Sequence, residues 1–290
     1  MATRQIQIAL LKALSYLPLP LLYLCADIGH FVLYHVLRYE RRLVEENIAR
    51  AFPEKTASDQ ARLSRQSYRN ILSVLAEVLK SPRMDPSDIK RRVQLRNPEL
   101  LIQYTRNEQS VIALAAHHCN WEWLLLGCCV HLPVPVDAVY KPIKRPYLDS
   151  LLLESRTRFG AHLIPARDTV AAIMQRHREL RLLAMVADQA PRREDEKHWS
   201  RFLHQDTAFY PGAGRIAVMT GMPVVFIGMR RIQRGYYEIS VEPICEDPHV
   251  KGAGAVMEQY IQAVERQVRE SPADWLWFYQ RWKYAKPLYA

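Results

Sequence analysis

The sequence predicts an α/β fold, with a mixed, mostly parallel sheet flanked by helices. From residue 111 onward, short apolar runs alternate with longer helical stretches, as expected of strands joined by crossover helices. Hydrophobic residues make up 49% of the 290-residue chain, which suffices for a sizeable core. Because no Gly/Ser-rich linker, low-complexity tract or repeat divides it, residues 38–290 are predicted to form one domain.

Before this domain, residues 13–37 form an apolar stretch long enough to span a bilayer. Polar and helix-breaking residues weaken a spanning interpretation: Pro18, Pro20, Asp27, His30 and His35. The alternative is a buried or interfacial helix pair broken near the two prolines. The residues before this stretch carry only two basic side chains, Arg4 and Lys12, and no small-residue cleavage site ends it. Both features argue against a signal peptide. Residues 1–37 are therefore predicted to associate with a membrane, in a mode that the sequence leaves open.

Charge and cysteine content indicate the partners and the compartment. A net charge of +10 favours anionic partners, such as a phospholipid surface, a phosphorylated glycolipid, an acidic carrier protein or nucleic acid. Arg38, Arg41 and Arg42 follow the apolar stretch and predict that the domain lies on the cytoplasmic side. Five cysteines without a C-x-x-C pair favour a reducing compartment.

Periodicity and capping residues predict the elements in chain order. An amphipathic helix is predicted over residues 59–80, and its Glu77 is interpreted as a solvated partner of Lys80. Predicted strands cover residues 111–116, 134–140, 162–165, 180–187, 223–229 and 236–241, and predicted helices cover 147–159, 168–178, 211–220 and 251–270.

The most informative residues follow the first of these strands, in the pattern His117-x4-Glu122. In an open α/β sheet, ligands bind beyond the carboxyl ends of the strands. A histidine held against a carboxylate is suited to act as a general base for an alcohol. On a helix, residues five apart diverge, so the spacing argues against a zinc-protease helix site. A buried polar pair of His117 and His118 beside Trp121 would explain the same residues without chemistry.

This segment resembles the catalytic motif of the bacterial lipid A late acyltransferases, the lauroyl/myristoyl transferases of the lysophospholipid acyltransferase superfamily. Their pattern is roughly His-x-Gly-Asn-Trp-Glu, and here Cys119 replaces the glycine. Other matching segments, in order, are Arg41-x2-Val44-x2-Asn47-Ile48, Ala51-Phe52-Pro53-Glu54, Val139-Tyr140-Lys141-Pro142, Leu148-Asp149, Arg156-x-Arg158-x-Gly160, Asp188-Gln189 and Trp275-x-Trp277 with Arg281-Trp282-Lys283. A further departure is Phe202-Leu203-His204, where family members often have Phe-Phe-Gly in a loop expected near the acceptor.

The resemblance implies a glycerolipid acyltransferase-like fold and an O-acyltransferase at the cytoplasmic side of the bacterial inner membrane. His117 would take the proton from an acceptor hydroxyl, and Glu122 would hold its imidazole in the productive tautomer. Asn120, or backbone N–H groups beyond the strand, would stabilise the oxyanion. Acyl carrier protein would be the donor and a lipid A precursor the acceptor, with no metal and no cofactor.

Further substrate-binding candidates are Arg156, Arg158, Asp188, Gln189 and Arg230. The arginine pair matches the family's Arg-x-Arg-x-Gly pattern, and guanidinium groups suit phosphates, although surface charges are the plainer interpretation. Asp188-Gln189 ends the strand over 180–187 and is expected at the same sheet edge as His117. It would orient the substrate or an arginine, or only cap a turn. Arg230 lies in a basic turn that matches a family position.

Other functions stay open at this point. Tryptophans 275, 277 and 282 are interleaved with basic residues, a pattern that suits nucleic-acid stacking, a membrane interface or a docked tail. The apolar N-terminal stretch favours the last two, so no nucleic-acid partner is expected. Alternative acceptors are a lysophospholipid, an ornithine-type lipid or a polyene-type alcohol. The remaining alternatives are a thioesterase or lipid hydrolase and a non-enzymatic membrane-binding protein. The sequence has no Gly-x-Ser-x-Gly elbow, which counts against the serine form of such a hydrolase.

Overall fold

The computed structural model describes residues 2–143 and 145–286. The strands are β1 Val93–Leu95, β2 Val111–Ala115, β3 Val136–Tyr140, β4 His162–Pro165, β5 Leu182–Val186, β6 His198–Phe202, β7 Gln205–Phe209, β8 Val224–Gln233 and β9 Tyr236–Cys245. The α-helices are α1 Ala2–Ser15, α2 Leu19–Phe31, α3 Arg41–Ala51, α4 Ala57–Lys80, α5 Pro86–Arg92, α6 Glu99–Arg106, α7 Trp121–His131, α8 Pro146–Thr157, α9 Thr169–Gln175, α10 Gly212–Thr220, α11 Pro248–Lys251 and α12 Ala253–Glu270.

Seven of these strands form one sheet in the order β1-β9-β8-β2-β5-β3-β4. Its neighbouring strands pair in parallel, except for the antiparallel pair β8 and β9. The predicted mixed, mostly parallel sheet is therefore confirmed. Strands β6 and β7 form a separate antiparallel hairpin.

Strand β2 lies in the middle of the sheet and is buried along its whole length. Its side chains alternate between two apolar layers. Ile112 and Leu114 face the layer that contains α12, whereas Ala113 faces the layer that contains α7. A strand covered on both faces needs a continuous apolar sequence, which is why residues 111–116 lack the usual alternation.

The register of β2 and β5 determines where polar side chains meet at the sheet edge. Ala115 pairs with Val186, the last residues of the two strands. His117 and Asp188 each follow two positions later, so the two residues leave the sheet side by side. Their predicted location at one edge is confirmed.

The N-terminal helices α1 and α2 are separated at residues 16–18, near the prolines, as the helix-pair interpretation predicts. A five-residue π-helical segment, Val32–Val36, continues α2. Residues 19–36 are long and apolar enough to cross a membrane, with a mean hydropathy of 1.4, but this test uses length and composition only. Only 22% of this stretch is buried in the protein, and the remainder is half-buried or exposed.

The hairpin β6–β7, strand β1 and helices α3, α5, α6 and α7 were not among the predicted elements. The hairpin turn contains Leu203 and His204, both in the left-handed region with φ of 48° and 65°. Turns with these backbone angles usually contain Asn or Gly, and neither residue occurs at the two turn positions here, so the sequence did not predict the hairpin. The turn contacts Glu265 of α12 and Glu54, rather than the residues that follow β2.

A buried ion cluster at the start of β3 gives a test of the fold. Asp137 and Arg181 have almost no exposed side-chain surface, and Arg181 Nη1 donates to Asp137 Oδ2 at 3.2 Å. We expect Asp137→Ala to lower the free energy of unfolding by roughly 3–5 kcal/mol, because it leaves the Arg181 charge buried and unpaired. Urea denaturation measures this change. The exposed Asp206→Ala is the control and should have little effect; equal losses in both variants would contradict the expectation.

Candidate active site

The imidazole of His117 is paired with the carboxylate of Asp188. Its Nδ1 lies 2.6 Å from Asp188 Oδ1, and its backbone N–H donates to Asp188 Oδ2 at 3.1 Å. An ionised carboxylate only accepts hydrogen bonds, so Nδ1 carries the proton and Nε2 has a free lone pair. The pair therefore has the arrangement of a general base and its orienting carboxylate.

Asp188 is completely buried and is held by groups from the C-terminal part of the chain. The indole Nε1 of Trp275 donates to Asp188 Oδ2 at 2.8 Å. Behind the pair, the hydroxyl of Tyr260 on α12 donates to the carbonyl of Ala115 and accepts from the backbone N–H of Ala187. Tyr260 thus joins the ends of β2 and β5 immediately before the two polar residues.

These donors control the protonation of Asp188. Burial favours the neutral acid, but the His117 ring, the Trp275 indole and the His117 backbone N–H favour the carboxylate more strongly. Together they hold the pKa of Asp188 below its ordinary value of 3.8. The carboxylate is therefore ionised at neutral pH and able to stabilise an imidazolium.

The other side of the His117 ring is accessible. The side chain is 18% exposed, and the Gln189 amide nitrogen lies 3.3 Å from Nε2, where it can donate to the free lone pair. The ring of Trp121 packs edge-to-face against the imidazole, with centroids 5.2 Å apart. An incoming hydroxyl would take the place of the Gln189 amide at Nε2.

Glu122 does not hold the imidazole, so the predicted pairing with His117 is wrong. Arg156 binds Glu122 through two hydrogen bonds, Nε to Oε2 at 2.8 Å and Nη2 to Oε1 at 2.6 Å. Trp121 Nε1 also donates to Oε1 at 3.1 Å. The reason is geometric, since Glu122 lies in the first turn of α7, facing α8, while Asp188 emerges beside His117 from the neighbouring strand.

Trp121 connects the two charged pairs, because it contacts His117 by its ring and Glu122 by its N–H. Both side chains of the Glu122–Arg156 pair are largely buried, at 6% and 16% exposure. Burial lowers the pKa of Arg156, but its hydrogen bonds and proximity to Glu122 raise it above the ordinary value overall. The guanidinium is therefore a fixed positive charge close to the Trp121 side of the site.

Asn120 has a structural role that differs from the predicted oxyanion contact. It is fully buried, its Oδ1 accepts from the backbone N–H of Trp123 and caps α7, and its Nδ2 donates to Glu77 at 2.7 Å. Both ends of the amide are used inside the protein. Glu77 is itself buried, so its interpretation as a solvated partner of Lys80 is also wrong.

Two of the substrate-binding candidates, Arg158 and Arg230, do not contact His117 in the structure. Arg158 donates from Nε to the carbonyl of Met84 at 2.7 Å, which fastens the end of α8 to the turn after α4. Arg230 is exposed, pairs with Glu238 at 3.0 Å and lines a cavity of about 330 Å³ on the β8–β9 side of the sheet. Within the described residues, neither arginine forms an ion pair or hydrogen bond with the His117–Asp188 pair.

The aromatic C-terminal segment is a docked tail, one of the two interpretations favoured by the sequence. Its backbone forms a bridge to the loop after β2, with Cys119 N–H donating to the Asp274 carbonyl and Leu276 N–H donating to the His117 carbonyl. Trp275 and Trp277 are buried. Sequence reasoning missed Trp275 as a hydrogen-bond donor to Asp188 because only the fold brings residues 87 positions apart together.

Potential metal-ligating side chains are not clustered in the part of the chain that the structure describes. No group of three or more His, Cys, Asp or Glu side chains there is arranged to hold a metal ion.

Comparisons with known proteins agree with the sequence resemblance. The family described as bacterial lipid A biosynthesis acyltransferase matches residues 1–284. A lipid A biosynthesis lauroyltransferase of Escherichia coli is 22% identical over 281 residues, which cover 95% of this chain and 90% of that protein. A lipid A biosynthesis acyltransferase of Haemophilus influenzae is 20% identical over 251 residues, which cover 85% of this chain and 76% of that protein.

The lowered pKa of Asp188 predicts a pH-dependent contribution to stability. Because the folded pKa lies below that of the unfolded chain, the stabilisation is complete above the unfolded pKa and is lost as pH falls through the folded pKa. We expect the difference in unfolding free energy between the wild type and Asp188→Asn to shrink as the pH falls below about 4. Chemical denaturation across this pH series measures it. A difference that does not change with pH would show that the charge of Asp188 is not stabilised by its donors.

Proposed function

This chain belongs to the bacterial lipid A biosynthesis acyltransferase family, and on that premise we propose that it moves a fatty acyl chain from acyl carrier protein to a lipid A precursor. The family establishes acyl transfer in lipid A biosynthesis as the class of reaction. The single observation that supports the mechanism is the His117–Asp188 pair, whose basic Nε2 faces the accessible side of the sheet edge.

In the proposed reaction, His117 Nε2 takes the proton of the acceptor hydroxyl while its oxygen attacks the thioester carbonyl carbon. The resulting tetrahedral intermediate collapses and the carbon–sulfur bond breaks. The imidazolium then gives its proton to the leaving thiolate, which regenerates the base. Asp188 stays ionised throughout and stabilises the imidazolium through Nδ1–H. No acyl-enzyme forms, because the acceptor oxygen is itself the nucleophile.

Glu122 and Arg156 are assigned to substrate binding in this proposal. A guanidinium fixed by two hydrogen bonds is suited to the phosphates of a lipid A precursor or of the carrier's phosphopantetheine arm. Trp121 links this ion pair to the imidazole, because its ring contacts His117 and its N–H donates to Glu122. Gln189 is exposed and contacts Nε2, so it is proposed to release the imidazole when the acceptor hydroxyl binds.

The N-terminal helices are proposed to attach the protein to the cytoplasmic face of the inner membrane, lying in the interface. Exposed apolar side chains cover the outer face of this region: Leu21, Leu24, Ile28, Phe31, Val36 and Leu37. On the inner face, Asp27 of α2 pairs with Arg234 of the β8–β9 hairpin at 2.8 Å. A spanning orientation would remove this pair or carry it into hydrocarbon, whereas an interfacial helix keeps it.

Lipid A mass spectrometry on a deletion strain tests the acceptor. We expect one acyl chain to be missing on deletion, and to be restored by the wild type but not by His117→Ala. The exposed Arg230→Ala is the control variant and should restore the chain, because it lies apart from the base. Unchanged lipid A on deletion would refute this acceptor, and profiling of lysophospholipids, ornithine-type lipids and polyene-type alcohols in the same strains would then identify the alternative.

Kinetics with acyl carrier protein substrates test the roles of the two carboxylates. We expect Asp188→Asn to lower kcat by roughly 100-fold or more, because the productive tautomer is lost. Glu122→Gln should mainly raise KM, lowering kcat/KM by about tenfold, because Arg156 loses a charged partner. Glu154→Gln, an exposed carboxylate on α8, is the control and should stay near the wild type. A larger loss of kcat in Glu122→Gln than in Asp188→Asn would restore Glu122 as the partner of the base.

A further inference from the structure

Glu77 is a fully buried carboxylate that receives hydrogen bonds from three separate elements. Tyr23 of α2 donates to Oε1 at 2.9 Å, while Asn120 and Tyr237 of β9 donate to Oε2 at 2.7 and 2.6 Å. Burial raises the pKa of Glu77 above its ordinary value, even though these three hydrogen bonds lower it. A buried carboxyl group is costly unless partners satisfy its oxygens, so the three elements are held together by the requirement to satisfy one buried polar group.

One of these donors belongs to the loop that carries the base. Asn120 lies between His117 and Glu122, and its Oδ1 caps α7 by accepting from Trp123 N–H at 2.9 Å. Its other amide atom has Glu77 as its partner. The orientation of Asn120, and with it the start of α7, therefore depends on Glu77. A second chain of hydrogen bonds also connects α7 to α4. Trp123 Nε1 donates to Ser81 Oγ, which donates to the Glu77 backbone carbonyl.

Another donor belongs to the apolar N-terminal helix. Tyr23 lies on the face of α2 that packs on α4, beside the buried Leu22 and Ala26. Arg234 also holds α2 against the domain. It donates to the Tyr23 carbonyl and to Asp27, and its guanidinium carbon lies 4.3 Å from the Tyr23 ring centre. The helix proposed to contact the membrane is thus bonded directly to the carboxylate that orients Asn120.

We propose that Glu77 is a positioning residue through which the docked N-terminal helix α2 orders the catalytic loop 117–122. The part of this inference that concerns catalysis rests on the function proposed above. Docking of α2 places the Tyr23 hydroxyl on Glu77, the carboxylate then fixes the Asn120 amide, and the capped α7 holds Glu122 and Arg156 in position beside His117. The acyltransferase site is therefore fully ordered only when α2 is seated on α4.

The test uses the purified full-length chain and removes single atoms. Tyr23→Phe deletes only the hydroxyl that bonds to Glu77. Its matched control is Tyr104→Phe, which deletes a hydroxyl that bonds to another carboxylate, Glu246, at 2.5 Å. Glu77→Ala removes the hydrogen bonds to Tyr23, Asn120 and Tyr237. Glu77→Gln keeps an oxygen for Asn120 and an N–H₂ group that can donate to the Tyr23 oxygen.

Two readouts are compared, hydrogen–deuterium exchange of residues 117–126 and steady-state kinetics. We expect Tyr23→Phe to speed exchange of this segment about tenfold, the size expected when a buried acceptor loses one of its hydrogen bonds. It should lower kcat/KM by a similar factor, because the loop carries both His117 and the Glu122 carboxylate that holds Arg156. Glu77→Ala should have a larger effect, and Glu77→Gln should stay within about threefold of the wild type, since it retains hydrogen-bonding partners.

Exchange of residues 117–126 within about twofold of the wild type in Tyr23→Phe would overturn the proposal, as would an equal rise in Tyr104→Phe. The exchange measurement does not require turnover. If the wild type does not use acyl carrier protein substrates, the proposed function fails, but exchange still decides whether α2 orders the loop.

Discussion

The buried charge of Asp188 is the constraint on which the rest of the site depends. A carboxylate without solvent must be satisfied by donors, and each of its donors fixes a part of the fold. The His117 backbone and ring fix the exit of the chain from β2, and the Trp275 indole fixes the C-terminal segment across it. The tail docks against the loop after β2, where its backbone completes a two-residue bridge. A solvent-exposed aspartate would leave the Trp275 indole N–H without this buried acceptor.

Three buried carboxylates surround the loop 117–122, and each has partners of a different kind. Asp188 is paired with a titratable imidazole, Glu122 with a permanently charged guanidinium, and Glu77 with neutral hydroxyl and amide donors. Only in the first arrangement is the partner an imidazole, which can act as a general base. The second fixes a charge, and the third fixes a geometry. The chemistry at this sheet edge therefore follows from the partners rather than from the carboxylates themselves.

Periodicity predicted the central sheet because strands buried on both faces must be apolar, as β2 is along its length. It also placed His117 and Asp188 at one edge, since that follows from parallel strands alone. The choice of carboxylate partner was wrong because it depends on register, and the pairing of Ala115 with Val186 is not encoded in either segment alone. The interpretation of Glu77 was wrong for a related reason. Helical periodicity identified an apolar face on α4, but it could not show that two tyrosines and an asparagine meet there.

Cys119 shows how the loop tolerates its departure from the family pattern, in which a glycine precedes the asparagine. The residue has φ of 52°, in the left-handed region that costs a non-glycine residue roughly 1–2 kcal/mol. The backbone at this position is held because its N–H donates to the Asp274 carbonyl, and the thiol is turned inward to donate to the Met229 carbonyl. The conformation is thus imposed by the docked tail and by Glu77 at Asn120, not by the local sequence. A loop held from both sides no longer needs glycine to adopt this turn, which explains how His117 and Asp188 keep their geometry without it.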